Sequence, residues 1–333
     1  SIQSNKMADI MSLQQPKSWK PDRPVSRGAT EFHDAVINAT WNHECLDYLI
    51  SLAEPNIREN DIVVDFGAGT GTSAARILEK IKTQIRLWLV DNSPAWLGKA
   101  YEMFRKAPNV SFFVLEKKNG DSATLSETVG KEAVDNVLSA NTVHLIPNLK
   151  STFKGIAEAL KPKGIFVFNS TNVTREGRPD GALMLDSTVY RVHDIAIDII
   201  KSNPKYKKYR KNLDNKIMEE APQRNFIFPQ PKPINDYLKA LKEAGFESIK
   251  TNYKCIRVKY NEYIKFLRVK RLQAGMLPEV GGKKPSPEEE KDRDELVTMA
   301  SLKLFKELEE TNPLADSEAW QCEWAYVLAV KAS

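Results

Sequence analysis

From about residue 62 onward, the chain alternates short apolar runs with longer segments whose apolar residues recur at helical spacing. This alternation is typical of a parallel sheet that is covered by helices on both faces. The strands that the pattern predicts are 62–66, 86–90, 110–115, 136–139, 165–169, 248–258 and 323–330. The predicted helices are 72–81, 95–106, 149–160 and 234–244, with an earlier one at 32–52.

Two long intervals interrupt this rhythm, one after the fifth strand and one between the last two strands. Both contain helical patterns, at 189–201, 262–274 and 293–310, whereas 281–290 is rich in Gly, Lys, Pro and Glu and is predicted to be mobile. Both intervals leave from carboxyl ends of strands, where open parallel sheets bind their ligands. Together they are therefore predicted to form a lid over a site.

The domain organisation follows from these intervals. Residues 29–174, 230–260 and 321–333 are predicted to form the core, and residues 175–229 and 261–320 the lid insertions. Prolines punctuate residues 1–28, which are predicted to be a flexible amino-terminal arm.

Composition narrows the class of protein. Hydrophobic residues at 41% and charged residues at 28% are ordinary for a globular chain, and no apolar run approaches the ~20 residues of a membrane span. Because the first residues lack the apolar segment of a secretory signal, we expect a cytoplasmic protein with no membrane partner. The three cysteines are too far apart for paired zinc ligands and are predicted to be free thiols, and no metal site is predicted.

The first predicted strand runs directly into Asp65-Phe66-Gly67-Ala68-Gly69-Thr70-Gly71. A strand, a glycine-rich turn and a helix together allow the backbone to approach a ligand closely. A dinucleotide-binding turn with glycines at 67 and 69 would have a third glycine at position 72, and the residue there is Thr72. The observed spacing instead resembles motif I of the class I S-adenosylmethionine-dependent methyltransferases.

Further landmarks of that family follow in order. They are an acid, Asp91, directly after the second strand, then Asn119-Gly120-Asp121-Ser122, the strand and turn 135–147, Leu160-Lys161-Pro162-Lys163-Gly164 and Leu241-Lys242-Glu243-Ala244-Gly245-Phe246. Lys163 stands where the family usually has glycine. The motifs are specific as an ordered set and cover roughly half of the chain.

The resemblance implies a doubly wound, mostly parallel seven-stranded sheet with an antiparallel last strand, and S-adenosylmethionine as the cofactor. It implies that Asp65 faces the methionine amino group and that Asn141 lies on the sulfonium side. The other cofactor contacts that it implies are Gly67, Gly69 and Gly71 for the methionyl moiety, Asp91 for the ribose, and Asp121 and Ser122 for the adenine, and their neighbours Ala68 and Asn92 are also expected to bind the cofactor.

Methyl transfer from a sulfonium requires alignment and exclusion of water, and a general base is optional. If the acceptor is a hydroxyl, a base would help, and His144 and His193 are the candidates. His144 is more readily a packing residue, and His193 is the candidate that faces the substrate. His33 and His43 lie near the amino terminus, where the family's leading helix can fold over the cofactor, and they have no assigned role.

The lid is basic and rich in aromatic residues. Residues 201–271, hereafter the basic stretch, hold 19 lysines and arginines against 7 aspartates and glutamates, although the net charge of the chain is only +5. Such a stretch can bind nucleic acid, attract a small anion, or be a solvated helix face.

A lid encloses a site, whereas a polymer needs an open groove, so we favour a small metabolite as the acceptor. Because the lid is positively charged, an anionic metabolite is one candidate. The candidate acceptor contacts are Tyr190, Arg191, Arg257 and Lys259. The alternatives are an RNA methyltransferase and a non-catalytic S-adenosylmethionine-binding subunit with a basic partner-binding face; nucleic acid is the less favoured partner, and the oligomeric state is left open.

Overall fold

The computed structural model describes residues 16–333. The start of the arm, residues 1–15, lies outside the described residues. The central sheet has seven strands, which are β1 (Ile62–Phe66), β2 (Arg86–Asp91), β3 (Val110–Val114), β4 (Val134–Ala140), β5 (Leu160–Ser170), β6 (Phe246–Lys259) and β7 (Ala319–Lys331).

The strands are ordered β6-β7-β5-β4-β1-β2-β3. Strands β1 to β5 pair in parallel, and β7 is antiparallel to both of its neighbours, β5 and β6. The predicted fold class, a doubly wound and mostly parallel sheet with an antiparallel last strand, is therefore confirmed.

Twelve α-helices are described in residues 16–333. They are α1 (Arg27–Val36), α2 (Thr40–Ala53), α3 (Thr72–Lys80), α4 (Pro94–Phe104), α5 (Leu125–Val129), α6 (Leu149–Ala159), α7 (Leu185–Ser202), α8 (Leu213–Ile227), α9 (Ile234–Ala244), α10 (Tyr260–Leu267), α11 (Lys270–Met276) and α12 (Pro287–Thr311). None of these helices has the length and apolarity that a membrane crossing requires.

Helices cover both faces of the sheet, and this explains why its parallel strands read as short apolar runs. All five residues of β1 are buried. Val63 packs in the apolar cluster on one face together with α2, whereas Val64 packs in the cluster on the other face together with α6 and α9. Strand β1 is thus the centre of the core, and the loop that follows it rests on a rigid support.

The β6–β7 pair projects beyond the carboxyl edge of the sheet. Ala325 of β7 lies opposite both Ser170, at the end of β5, and Tyr253 of β6. Residues 254–259 and 319–324 therefore continue past the last residue of β5 and form a wall beside the ligand-binding edge.

Helices from both insertions pack together at this edge. Helix α7 packs on α12, α8 packs on α11, and α10 and α11 contact α1 near the amino terminus. The hydroxyl groups of Thr188 on α7 and Tyr263 on α10 lie 2.6 Å apart in the buried seam. The insertions thus share one packed layer above the carboxyl edge.

Two helix predictions and one prediction of a mobile segment were wrong in detail. The segment predicted as one helix at 32–52 is the pair α1 and α2, and the helix predicted at 262–274 is the pair α10 and α11. The segment 281–290, predicted to be mobile, includes the start of α12, because Ser286 and Glu289 form a capping box.

The described part of the arm lies along β3. The Trp19 backbone N–H donates to the Phe112 carbonyl at 2.6 Å, and the Phe112 N–H donates to Ser18 Oγ at 3.0 Å. These two hydrogen bonds to the Phe112 backbone hold residues 18 and 19 against β3, and the flexibility of the arm stays a prediction.

Candidate functional site

The turn after β1 is folded tightly onto the end of β2. The backbone N–H groups of Gly67 and Ala68 both donate to the Val90 carbonyl, at 2.8 and 3.0 Å. Gly67 has a φ of +77°, and a Cβ atom there would lie 2.3 Å from Thr142 Oγ1. Only glycine fits at this position, because the turn after β4 fills the space that a side chain would need.

Asp91 connects this turn to the next strand end. Its Oδ2 accepts the Gly69 N–H at 2.9 Å, and its Oδ1 accepts the Ser93 N–H at 2.8 Å. Burial raises the pKa of the carboxyl group, although the backbone donors oppose the shift. Asp91 therefore fixes both the glycine turn and the start of α4, and its remaining lone pairs can accept the hydroxyl groups of a ribose.

Asn92 and Ser122 meet beside Asp91. The Asn92 amide nitrogen donates to Ser122 Oγ at 3.2 Å, which joins the end of β2 to the short hairpin after β3. Asp121 and Ser122 are both exposed on that hairpin. The predicted ribose and adenine contacts thus lie along one continuous edge.

Asp65 lies beneath the turn and not on its surface. The Ser73 hydroxyl donates to Asp65 Oδ2 at 2.6 Å from the first turn of α3. Burial raises the pKa of Asp65 to about 7, with a smaller contribution from the charge of Asp91. The carboxyl group supports the turn from below, and its predicted contact with a methionine amino group stays a prediction.

Helix α1 covers the glycine turn through His33, which had no assigned role. His33 Nδ1 lies 3.1 Å from Thr70 Oγ1, and both side chains are buried. Phe32 on the same helix packs against Trp96 of α4, with ring centroids 4.3 Å apart. The leading helix therefore closes the site from the amino-terminal side.

We expect the His33–Thr70 contact to contribute about 1 kcal/mol to the free energy of unfolding. A double-mutant cycle with His33→Ala and Thr70→Ala, followed by chemical denaturation, measures it. The double variant should be less destabilised than the sum of the two single variants. Strictly additive effects would mean that the contact carries no energy.

Asn141 occupies the turn after β4 in a left-handed conformation, with a φ of +52°. Its backbone N–H donates to Asn169 Oδ1 at 2.8 Å, and its Oδ1 accepts the Trp324 indole N–H at 2.8 Å. Asn141 thus joins the ends of β4 and β5 to the middle of β7.

His144 lies one turn further along, half-buried, with Nδ1 3.1 Å from Ser170 Oγ. Burial, with a smaller contribution from the positive charge of Lys232, lowers the pKa of His144 to about 4. The imidazole is therefore neutral near pH 7 and bound to the end of β5, which agrees with a mainly structural role.

His193 was expected to face the substrate, but the structure surrounds it with lid residues. Its Nε2 lies 3.0 Å from Glu279 Oε1 and 2.7 Å from the Arg224 guanidinium, and all three side chains are buried. Burial opposes ionisation of Glu279, but the contacts with His193 and Arg224 outweigh it and lower the pKa. This cluster joins α7, α8 and the segment before α12, so we assign His193 to the lid.

The predicted acceptor contacts do not form one group. Arg191 pairs with Glu307 at 3.0 Å, and Arg257 and Lys259 both pair with Glu318, at 3.5 and 3.8 Å, on the outer side of the β6–β7 wall. The Tyr190 hydroxyl donates to the Phe228 carbonyl at 2.6 Å. Because carboxylates already engage the three cations, the geometry does not support their prediction as anion contacts.

Sequence reasoning missed Asp186, in the first turn of α7. It is only 7% exposed, and its Oδ2 has no hydrogen-bond partner. Burial raises its pKa to about 7. Asp186, Tyr190 and His193 follow one another at helical spacing on one face of α7. Since Tyr190 and His193 were already candidate site residues, the sequence itself indicated that Asp186 lies on the same face.

The donors and acceptors at the glycine turn suit an adenosine-bearing ligand. A carboxylate at a strand end can accept two ribose hydroxyls, and the exposed hairpin beside it offers polar groups to a base. Residues 16–333 contain no group of three His, Cys, Asp or Glu side chains placed to bind a metal ion. The three cysteines are free, with Cys45 and Cys322 buried and Cys255 half-buried.

Comparison with known proteins points the same way. A family model described as a methyltransferase domain matches residues 57–244, more than half of the chain. The highly reducing polyketide synthase g433 of a Fusarium species is 27% identical over 140 residues, which are 40% of this chain and 5% of that protein. The methyltransferase calH of Penicillium decumbens is 30% identical over 113 residues, 32% of this chain and 30% of that protein. The chain thus spans only a small part of these relatives.

Among solved structures, the fold is similar to phosphoethanolamine N-methyltransferase 2 of Haemonchus contortus, which was solved in complex with S-adenosyl-L-methionine. The TM-score is 0.50 at 18% sequence identity, over 92% of this chain and 57% of that one. At this identity the likeness establishes the shared fold.

Proposed function

The chain belongs to the class I S-adenosylmethionine-dependent methyltransferases, and from this premise we propose that it transfers a methyl group to a small metabolite bound beneath the lid. The observation that carries the proposal is the glycine turn at the centre of the sheet, with Asp91 bound to it from the end of β2. S-adenosylmethionine supplies an activated methyl group when it is bound at this turn.

The chain's own residues bind and align the reactants in this proposal. Asp91 would accept the ribose hydroxyls, and Asn92 with Ser122 would line the adenine side. Asn141, held by Asn169 and Trp324, would form the wall next to the reacting carbon. The packed layer of lid helices would exclude water from the reaction.

A small acceptor is favoured over a polymer because several cations of the basic stretch are already paired with carboxylates. Lysines and arginines from this stretch pair with acids along α12. The pairs are Lys205 with Glu295, Lys208 with Glu288 and Asp292, Arg268 with Asp294, and Lys270 with Glu290. Nucleic-acid binding depends on cations that are available to phosphates, and these four cations are engaged with carboxylates of α12 instead.

Labelled S-adenosylmethionine tests the proposal directly. The protein would be incubated with the labelled cofactor and either a small-metabolite extract or total RNA, after calorimetry has established S-adenosylhomocysteine binding. We expect label in the small-molecule fraction, with equimolar formation of S-adenosylhomocysteine.

The other outcomes separate the alternatives. Label in RNA, together with RNA binding that weakens steeply with salt, would indicate the RNA methyltransferase. Cofactor binding without turnover in either fraction would indicate the non-catalytic subunit. Absence of cofactor binding would contradict the site assignment itself.

A further inference from the structure

Asp186 is held above the carboxyl edge of the sheet through two residues that precede it, Leu183 and Leu185. The Leu185 N–H donates to Thr171 Oγ1 at 3.0 Å, directly after β5. Leu183 forms a bridge with Cys322 of β7 through two backbone hydrogen bonds of 3.0 Å. The first turn of α7 thus lies where the proposed acceptor site meets the sheet.

The charge of Asp186 has no counter-ion in residues 16–333, since no Lys, Arg or His forms a salt bridge with it, and its Oδ2 accepts no hydrogen bond. A buried carboxylate without a partner is costly, and proteins normally pair such groups. The arrangement is explained if the partner is a ligand.

A second unpartnered group lies near the end of β5, where the Tyr237 ring on α9 packs against Phe168 with ring centroids 6.0 Å apart. The Tyr237 hydroxyl on α9 is completely buried and has no hydrogen-bond partner. Burial, followed by the charges of Asp236 and Asp186, raises its pKa. Asp186 comes from the lid and Tyr237 from a helix of the core, so two independent elements leave polar atoms without a partner at this place.

An aromatic wall connects this place to the cofactor side. The wall consists of Trp324, Trp41, Phe266 and Tyr263, in which consecutive ring centroids are 5.6 to 6.3 Å apart. Trp324 donates to Asn141 at one end. At the other end, the Tyr263 hydroxyl lies 2.6 Å from Thr188 Oγ1, two residues after Asp186 on α7. Aromatic faces attract cations, as the buried carboxylate does.

We propose that Asp186, with the Tyr237 hydroxyl and the aromatic wall, is the subsite for the acceptor and that the acceptor is an amine. The inference rests on the proposed function. A protonated amine supplies the counter-ion that Asp186 lacks, whereas an alcohol would leave the carboxylate unpaired and an anionic acceptor would be repelled. Because both polar atoms are buried, entry of the amine requires α7 to move away from β5.

The transfer step balances with these groups. The ammonium ion gives one proton to Asp186, which becomes a neutral carboxylic acid; its raised pKa suits this exchange. The freed nitrogen lone pair forms the new N–C bond while the S–C bond breaks, and the electron pair of that bond stays on sulfur. The products are S-adenosylhomocysteine and a methylated ammonium ion.

The test uses the whole protein saturated with S-adenosylhomocysteine and a panel of primary amines of three to eight carbons, with the alcohols and carboxylates of the same skeletons. We expect at least one amine to bind about 10-fold more tightly than its matched alcohol, and the carboxylates not to bind. Asp186→Asn, of the same size, should lower the amine affinity by about 30-fold or more and leave S-adenosylhomocysteine binding within about threefold of the unchanged protein.

The control is Asp198→Asn, because Asp198 lies on the exposed face of the same helix; it should change neither affinity. Tyr237→Phe should lower the amine affinity by about fivefold, since only one hydrogen bond is lost. No preference for amines, including no binding by the whole panel, would overturn the inference. So would unchanged amine binding by Asp186→Asn. If the unchanged protein does not bind S-adenosylhomocysteine at all, that result would overturn the proposed function instead.

Discussion

The Asp91→Ala variant should bind S-adenosylmethionine at least about 100-fold more weakly than the unchanged protein, a loss of about 2.7 kcal/mol. The substitution removes the proposed ribose contacts and also the acceptor of the Gly69 and Ser93 N–H groups. Hydrogen bonds to a charged acceptor contribute about 1.5–3 kcal/mol each. The measurement is titration calorimetry with the cofactor and with S-adenosylhomocysteine.

Two further variants locate the origin of that loss. Asp91→Asn keeps one oxygen that can accept a backbone N–H. Its affinity for the cofactor should therefore lie between those of Asp91→Ala and the unchanged protein. Glu102→Ala alters an exposed acid on α4, the helix that follows Asp91, and should bind like the unchanged protein. Cofactor affinity within about threefold of normal in Asp91→Ala would show that the cofactor does not bind at this turn.

The core of the fold was predictable because its signals are local. Each parallel strand is covered on both faces and therefore reads as a short apolar run, as Ile62–Phe66 does. The glycine turn and Asp91 are only some twenty residues apart, since one helix separates consecutive parallel strands. These short-range patterns located the strands, whereas the antiparallel direction of the last strand was implied by the family resemblance.

The lid was less predictable because its contacts join distant parts of the chain. Arg191 pairs with Glu307, 116 residues away, and His193 contacts Glu279, 86 residues away. Read alone, the basic stretch looks like a surface for an anionic partner. In the structure, acids of α12 lie beside several of its cations and pair with them. The spacing of residues in one sequence does not predict that the two segments are neighbours.

The buried acids connect the fold to the proposed chemistry. Asp65 and Asp186 are both buried with raised pKa values, one beneath the cofactor turn and the other at the proposed acceptor subsite. A buried carboxylate at either position lowers the stability of the fold, so selection for stability alone does not explain these two residues. Perturbed carboxylates of this kind cluster at functional sites.

Because Asp186 has no partner in the free protein, its ionisation lowers the free energy of unfolding as the pH rises. Its folded pKa of about 7 is above the ordinary value of 3.8. Below about pH 4 the carboxyl group is neutral in both states and does not lower the free energy of unfolding. This free energy falls as the pH rises from there through about 7. At about 1.4 kcal/mol for each pKa unit, the full cost is about 4 kcal/mol. The groups that the charge of Asp186 affects, Tyr190, Tyr237, Tyr263 and Cys322, all have raised pKa values and stay neutral over this range.

We therefore expect the stability of Asp186→Asn relative to the unchanged protein to increase by about 3–4 kcal/mol between pH 4 and pH 8. An unsatisfied buried amide costs about 1–3 kcal/mol at every pH, so the variant should be the less stable protein at pH 4 and the more stable one at pH 8. Urea unfolding at several pH values, without cofactor, measures the difference. Asp65 and His144 titrate in both proteins and cancel, and Asp198→Asn should show no such trend. Parallel stability curves for Asp186→Asn and the unchanged protein would mean that Asp186 is already paired or hydrated, and the subsite would lose the unpartnered charge on which the choice of an amine depends.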